Sequence, residues 1–490
     1  MQPVEPDVTL VNLNLLFVRY YDKVDREMHV PLGPLYLVRA LEDAGWKVDF
    51  RDYQLNDFED PFASENIAAF LEDSAEVVGV SCMANLLPFT ILALKEFKER
   101  NPQKTLILGG VGPAAVEEKI LERFPWIDIV VKGEAERTFP ELLAALKQGQ
   151  KPHGIPGVLF RENGRLNRNR ERDRITNLDS IPLPAFERVD LSKYAGYGVV
   201  SSRGCPYLCT FCGVAPIWGH QAFHRSNENI LTEMRVLRDR AGVEMFLFQD
   251  EFFVSGKQRV MSFCRDLKNS GMKIKWKAFG RVNLTDVEMM EAMADCGCVE
   301  LRFGVESASE RILELTEKAF TTEQVLDLVP EAVQIFPRVD AFYIWGFPFE
   351  TQEEFRQTLF QMVSFRMMGA RILPSLFCFL PQTKICRDYG DPEKLEFCYE
   401  LLPEYMLTGH EVYRSVRISI PPKHRHLFDF ISNHPDIFPG FFQLRIQEEI
   451  LPKLRELQAF GFYAQEETEP ETDSCGAHSP RVAQTGGTPA

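Results

Sequence analysis

SSRGCPYLCTFCG, residues 201–213, puts Cys205, Cys209 and Cys212 in a C-x3-C-x2-C spacing. Three thiolates within eight residues, in a loop carrying Gly204, Pro206 and Gly213, can close around one [4Fe-4S] cluster without straining the backbone. A fourth cysteine is missing, so one iron keeps an open position, as a catalytic metal does and a structural one does not. The competing assignment is a zinc knuckle, with His220 or His224 supplying the fourth ligand. Against it, a strand-like YGVVSSRG runs straight into the triplet and no second cysteine pair follows.

Downstream, short β-rich runs alternate with helical patterns. YGVVSSRG (197–204), VEMFLFQDE (243–251), KIKWKAFGR (273–281), VELRFGVES (299–307), RVDAFYIWG (338–346) and RILPSLFCFL (371–380) read as six strands with a helix between each pair. Six β/α units predict a partial TIM-like (β/α)6 barrel over 197–390, whose chemistry sits at the C-terminal strand ends. The polar residues are there: Gln249, Asp250 and Glu251 end the second strand, Arg281 and Asn283 the third, Glu306 and Ser307 the fourth, and Gly346 begins GFPFET after the fifth. A carboxylate suits an ammonium, and Arg281 suits a carboxylate. Glu350 is read as a cap of the next helix. In WGHQAFHRSNENILTEM (218–234), Ser226 reads as an N-cap, with Asn229 at the third helical position standing in for Glu in a capping box.

Upstream, VTLVNL (8–13), KVDFRDY (47–53), VVGVSC (77–82), KTLILGG (104–110) and IDIVVKG (127–133) read as strands, with helix patterns at 33–44, 63–73, 87–100, 113–124 and 135–147. Near-continuous apolar strands alternating with helices predict a doubly wound, Rossmann-like parallel sheet over 1–150. Ligands bind at the carboxyl ends of such sheets. Asn12, Asn14, Ser81, Gly109, Gly110, Val111, Gly112, Gly133 and Glu134 stand at those ends. No G-x-G-x-x-G follows the first strand, so a dinucleotide is not favoured.

The cysteine triplet, with Phe211 before its last member, resembles the signature of the radical S-adenosylmethionine (SAM) enzymes. PLGPLYLVRALEDAGWKVDFRDY, ILGGVGPAA and IDIVVKGEAERTFPELL resemble the cobalamin-binding domain that precedes many radical SAM cores, those of the class B methyltransferases and related cyclases. The resemblance implies that Cys205, Cys209 and Cys212 hold the cluster and that SAM occupies its open iron. It implies SAM contacts from Phe211, Gly213, Gln249, Asp250, Glu251, Arg281, Glu306, Ser307 and Gly346. It further implies cobalamin on the N-terminal sheet, with the glycines after the fourth strand letting its nucleotide loop pass close to the backbone. The D-x-H-x-x-G motif that places a His under cobalt is absent; His29 in DREMHVPLG has the wrong spacing. The tRNA methylthiotransferases share the layout but carry three cysteines in the first domain, where this chain has Cys82 alone.

The 490 residues, 45% hydrophobic and 26% charged, predict several globular domains. A net charge of −16 argues against a nucleic-acid partner, and the basic run RENGRLNRNRERDR (161–174) reads as a solvated hairpin and linker within 151–196. No window offers the roughly 18 apolar residues of a membrane span, and MQPVEPDVTL lacks the features of a signal peptide, so a cytoplasmic location is expected. Cys264, Cys378, Cys386 and Cys398 read as packing, while Cys296 and Cys298 form a C-x-C that is a weak metal candidate because it ends a helix and enters a strand. Residues 391–464, including DPEKLEFCYELL and FFQLRIQEEILPKLRELQAF, read as a helical region over the barrel mouth. Phe428, Phe430, Phe438, Phe441 and Phe442 there read as core or as pocket lining. The polar tail 465–490, with Cys475, cannot bury enough apolar surface to order itself.

The resemblance implies methyl transfer to an unactivated carbon or phosphorus centre, through a 5′-deoxyadenosyl radical and methylcobalamin. Two alternatives stand beside it: a cobalamin-containing radical SAM cyclase or rearrangement enzyme, and a non-catalytic iron-sulfur sensor or binding protein. The implied partners are a small-molecule, lipid or peptide substrate and an external reductase, flavodoxin or ferredoxin.

Overall fold

The computed structural model describes residues 5–13, 17–20, 23–26, 28–398, 401–403, 406 and 425–463. Asn14, Cys475, the tail 465–490 and much of 399–424 lie outside the described residues.

The apolar runs of the N-terminal half form β1 (Val8–Asn12), β2 (Val48–Asp52), β3 (Val77–Ser81), β4 (Thr105–Gly109) and β5 (Ile129–Val131), all parallel, in the order β2-β1-β3-β4-β5. The helices Leu32–Asp43 and Ala135–Lys147 cover one face, burying Val38, Leu41, Phe139 and Leu142. On the other face Ser64–Phe70, Leu87–Arg100 and Glu117–Arg123 bury Ile67, Leu94, Phe97 and Ile120. This is the doubly wound arrangement, with its switch in strand order beside β1. The helix expected from 113 starts only at Glu117, because Gly110, Gly112 and Pro113 carry the chain around the backbone of Cys82 and Met83. Phe17–Tyr20 and Lys23–Arg26 form a small antiparallel hairpin that the sequence reading did not anticipate.

The basic run is not all linker. Its first part forms the hairpin β6 (Val158–Glu162) and β7 (Arg165–Arg168), which adds antiparallel to β5 and extends the sheet to seven strands. Arg165 and Arg168 thereby lie on an edge strand, where charge discourages pairing with another chain.

In the second half β8 (Gly198–Val199), β9 (Met245–Phe248), β10 (Lys275–Gly280), β11 (Cys298–Glu306), β12 (Arg338–Trp345) and β13 (Arg371–Leu376) pair parallel in chain order. Among the described residues β8 and β13 share no ladder, so the sheet is open. The expected first strand is split. After Val199 the chain leaves the sheet, and Ser202–Arg203 pairs antiparallel with Phe223–His224. The helix Asn227–Ala241 starts where Ser226 caps the amide of Asn229 and ends at Gly242, which takes the left-handed conformation. The Asn229 side chain does not complete a capping box; it accepts from Arg225 Nε at 2.6 Å.

The two halves are joined by buried polar contacts. Arg225 pairs with Glu233 at 2.5 Å, and Tyr36 of the first half donates to Glu233 at 3.2 Å. Tyr194 donates to Asp52 at 2.6 Å, and His29 forms a backbone bridge with Gly196. Residues 391–398 of DPEKLEFCYELL, expected to be helical, run instead through turns, and Glu396 bridges antiparallel to Gln443. Farther on, Arg425–Ser432 and Leu451–Ala459 are helical, the latter preceded by a π turn at Ile446–Ile450. No helix among the described residues is long and apolar enough to cross a membrane.

Candidate functional site

The cysteine loop begins at Gly204, whose φ of +91° and close approach to Gln221 O leave no room for a Cβ. A rigid anchor precedes it. Asp250, at the end of β9, accepts from the Ser201 amide at 3.0 Å, from Ser201 Oγ at 2.8 Å and from Ser202 Oγ at 2.6 Å. Asp250, expected at the SAM ammonium, therefore spends most of its acceptor capacity on the root of the loop. Burial raises its pKa, and the serine donors oppose that rise.

Cys205, Cys209 and Cys212 are partly buried and unpaired with one another. Burial pushes their thiols up where a shift is resolved, for Cys212 to about 11, while Arg281 favours the Cys205 thiolate. Bound iron would deprotonate such thiols outright. Among the described residues no three His, Cys, Asp or Glu side chains converge on one metal point. A four-iron cube asks for less convergence, because each thiolate takes a different iron. Arg281 lies beside the loop, with Nη1 3.8 Å from Cys209 Sγ and its guanidinium 3.3 Å from the centroid of the Tyr207 ring. Its Nη2 donates to Lys318 O, and its Nε is buried with no partner among the described residues.

A cavity of about 310 Å3 opens at the strand ends beside Cys205, lined also by Asp250, Glu251, Phe252, Phe279, Arg281, Gly304 and Lys318. Thiol, carboxylate, guanidinium and aromatic walls are the donor set that the amino acid and adenosyl parts of SAM require. Lys318 was missed by the sequence reading. It comes to the cavity because Glu306, in the left-handed conformation at φ +69°, turns its carboxylate to accept from Lys318 Nζ at 2.9 Å. Nothing in the spacing around Lys318 marks it in advance.

Several residues expected at SAM do not line this cavity. Ser307 is fully buried and shares a hydrogen bond with Thr358 at 3.0 Å. A Cβ on Gly346 would meet Ile450 and Leu376, so this glycine makes room for the C-terminal segment. Glu350 accepts from the Gly346 amide and pairs with Lys453; the helix cap is Thr351, in a capping box with Glu354. Phe211 packs toward Phe347, at 6.0 Å between centroids. Gln249 folds over Gly198 and faces the second cleft, and Gly213 faces the third.

The second cleft, about 270 Å3, lies between the C-terminal ends of the first sheet and the cysteine loop. Ser81, Gly109, Gly110, Val111, Gly133 and Glu134 line it from one side, Arg203, Trp218, Gln249 and Glu251 from the other. The glycines let backbone lie open to an occupant, most clearly at Gly133, where a Cβ would point into empty space. Gly112 lies against Met83 O at the third cleft. Glu134 is committed: it accepts from Arg203 Nη1 at 3.0 Å and from the Ile175 amide at 2.7 Å. Asn12 does not reach the cleft, because it is fully buried and donates to Asp52 at 2.8 Å. The His29 ring packs on Gly196 and lines none of these clefts. His220 borders a larger open cleft of about 970 Å3 that also reaches Cys209 and Cys212.

The third cleft, about 300 Å3, shares Val111, Ala114, Ile217, Trp218 and Glu251 with the second. Glu251 borders all three clefts. Burial raises its pKa, and the Gly204 amide, donating at 3.4 Å, is one of the groups that opposes the rise.

Residues 199–362 match the family model of the radical SAM superfamily, and residues 23–143 match that of the B12 binding domain. An uncharacterized methyltransferase of Pyrococcus horikoshii is 32% identical over 336 residues, 67% of this chain and 72% of that protein. The anaerobic magnesium-protoporphyrin IX monomethyl ester cyclase of a Synechocystis strain is 27% identical over 61% of each chain. Among solved structures, the radical SAM methyltransferase TsrM from Kitasatospora setae, with tryptophan substrate and a SAM analogue bound, superposes with a TM-score of 0.64. That match covers 79% of this chain and 77% of that one at 18% identity, a likeness of fold. Two family models over the two sheets, with a relative 32% identical over 67% of the chain, leave one reading: the chain is an enzyme of the radical SAM superfamily and belongs to its cobalamin-binding branch.

Proposed function

We propose that the protein transfers a methyl group to an unactivated carbon, or a phosphorus, centre of a small-molecule, lipid or peptide substrate. The observation that carries the proposal is Glu251, one side chain bordering both the cavity beside Cys205 and the clefts at the ends of the first sheet. The two cofactor regions therefore face each other across a single residue, which is the proximity that group transfer between them requires. When bound, the cluster with SAM would supply a 5′-deoxyadenosyl radical and cobalamin a transferable methyl group.

The chain's own residues bind, orient and enclose. Cys205, Cys209 and Cys212 would hold the cluster, Glu251 the SAM ammonium, and Arg281 the SAM carboxylate. Ser81, Gly109, Gly110, Val111 and Gly133 would carry the edge of the corrinoid that meets the first sheet. Reducing equivalents would come from an external flavodoxin or ferredoxin with its reductase, and the location would be the cytoplasm.

The likeness to the ester cyclase favours a second reading, oxidative cyclisation or rearrangement with the same cofactors and no methyl transfer. Anaerobic reconstitution with iron, sulfide and cobalamin tests both. Expected are the absorption bands of both cofactors, reductive formation of methionine and 5′-deoxyadenosine, and loss of iron and SAM cleavage on replacing any of the three cysteines by alanine. A product heavier by one methyl separates transfer from cyclisation. A brown protein without corrinoid bands would overturn the cobalamin assignment.

A further inference from the structure

We propose that the third cleft is the substrate pocket and that it receives an uncharged, apolar part of the substrate; this rests on the cofactor reading above. Its walls come from three parts of the chain. Leu87 belongs to the first domain, Trp218 follows the cysteine loop, and Leu380, Met406, Phe438 and Phe441 come from the C-terminal third. The last four lie beyond residue 362, outside both family models, where a feature specific to this protein belongs. Among the described residues the C-terminal third contributes no wall to the second cleft, which is bounded by the sheet ends and the cysteine loop.

The chemistry of the walls sets the substrate class. Among the described residues no Lys, Arg or His lines this cleft, and Glu251 is its one ionisable side chain apart from the cluster ligand Cys212. An anionic group placed there would lose its hydration with no cationic side chain among the described lining residues to replace it, the Trp218 indole N–H being a neutral donor. A hydrocarbon or aromatic group would gain by leaving water, in contact with the rings of Trp218, Phe438 and Phe441. At about 300 Å3 the cleft is at the small end of ligand pockets, enough for a ring system or a branched chain of modest size. Cys212 and Glu251 place such a group beside the cluster loop and the SAM cavity.

The test uses the anaerobically reconstituted holoprotein and equilibrium dialysis of two probes, neutral N-phenyl-1-naphthylamine and its anionic 8-sulfonate. Expected is saturable binding of the neutral probe, at least about tenfold tighter than the sulfonate. Ala84→Phe, which fills the cleft from a half-buried position, should weaken the neutral probe about tenfold or more, with corrinoid content and reductive SAM cleavage unchanged. Leu380→Lys should reverse the preference between the probes. Equal binding of both probes, or neutral binding untouched by Ala84→Phe, would overturn the pocket while leaving the cofactor reading intact. Loss of corrinoid from Ala84→Phe would likewise overturn it, by giving the cleft to the corrinoid. Absence of SAM cleavage in the wild-type protein would strike the cofactor reading itself.

Discussion

Arg203, two residues before the first cluster cysteine, donates at 3.0 Å to Glu134 at the carboxyl end of the first sheet. Their side chains are 12% and 2% exposed, and Arg203 also donates to Glu136 at 2.7 Å. The ion pair therefore ties the cluster loop to the edge of the proposed corrinoid cleft. Removing one member leaves a buried charge uncompensated, at a cost of up to about 3–5 kcal/mol, reduced here because Arg174 and Glu136 offer second partners. Glu134→Gln should lower the denaturant stability of the protein by about 2 kcal/mol. A double-mutant cycle with Arg203→Gln should return a coupling of at least about 1 kcal/mol. Purely additive losses would mean that the two domains are held together elsewhere.

Asp250 and Glu251 are neighbours with different tasks, and iron content separates them from SAM affinity. Asp250→Ala leaves the Ser201 amide and the Ser201 and Ser202 hydroxyls without their acceptor, at about 1–3 kcal/mol for each buried donor. The loop root should loosen and the reconstituted protein should carry less than about half the wild-type iron. Glu251→Gln removes a charge that anchors nothing in the loop except one long contact to Gly204. It should keep its iron and bind SAM about tenfold or more weakly, as expected from losing a charged hydrogen bond of about 1.5–3 kcal/mol. The reverse pattern would return the SAM-binding role to Asp250.

Why the sequence distinguishes the loop but not these two carboxylates is a matter of range. Cys205, Cys209 and Cys212, the proposed cluster ligands, stand within one short loop, so their spacing alone suggests the chemistry. The strands of both sheets are likewise local apolar runs, and most are found within three residues of their expected limits, whereas the first strand of the second sheet stops at Val199, five residues early, and the last at Leu376, four residues early. Adjacent residues at a strand end point to different sides, and only the turn after Val199 shows that Asp250 meets Ser201 while Glu251 meets the clefts. Lys318 was invisible because its place depends on the left-handed turn at Glu306. Gly346 and Glu350 were misread because their partners, Ile450 and Lys453, lie about a hundred residues away.

His224 gives the fold a pH dependence whose sign follows from its surroundings. Burial, with help from the Arg259 guanidinium, holds its pKa down from 6.5 to about 4. Below the ordinary value the unfolded chain takes up a proton that the folded protein refuses, so the unfolded state binds more protons. Stability should therefore fall as pH drops from about 6.5 toward about 4 and be unaffected by this residue above neutrality. Denaturant midpoints of wild type and His224→Gln, measured from pH 7.5 to 4.5, should show a shallower decline for the variant. Parallel curves would mean that the imidazole titrates normally.

Lys453 of the C-terminal segment and Glu350, in the loop after β12, form a buried ion pair, with side chains 2% and 0% exposed and a contact of 2.7 Å. The Gly346 amide donates to the same carboxylate oxygen at 2.9 Å. Burial raises the Glu350 carboxyl, and Lys453 pulls it back. In Lys453→Met the carboxyl faces burial without its cation, so near pH 8 the loss should approach about 3–5 kcal/mol. At lower pH the orphaned group relieves the penalty by taking up a proton, and the gap to wild type should narrow toward pH 5. The double variant Lys453→Met/Glu350→Gln should recover part of the stability at pH 8 and lose the narrowing. Unfolding curves at the two pH values, with proteolysis reporting release of the helix Leu451–Ala459, decide the matter. If the single variant were no more damaging at pH 8 than at pH 5, the buried carboxylate would have to be compensated by a group other than Lys453.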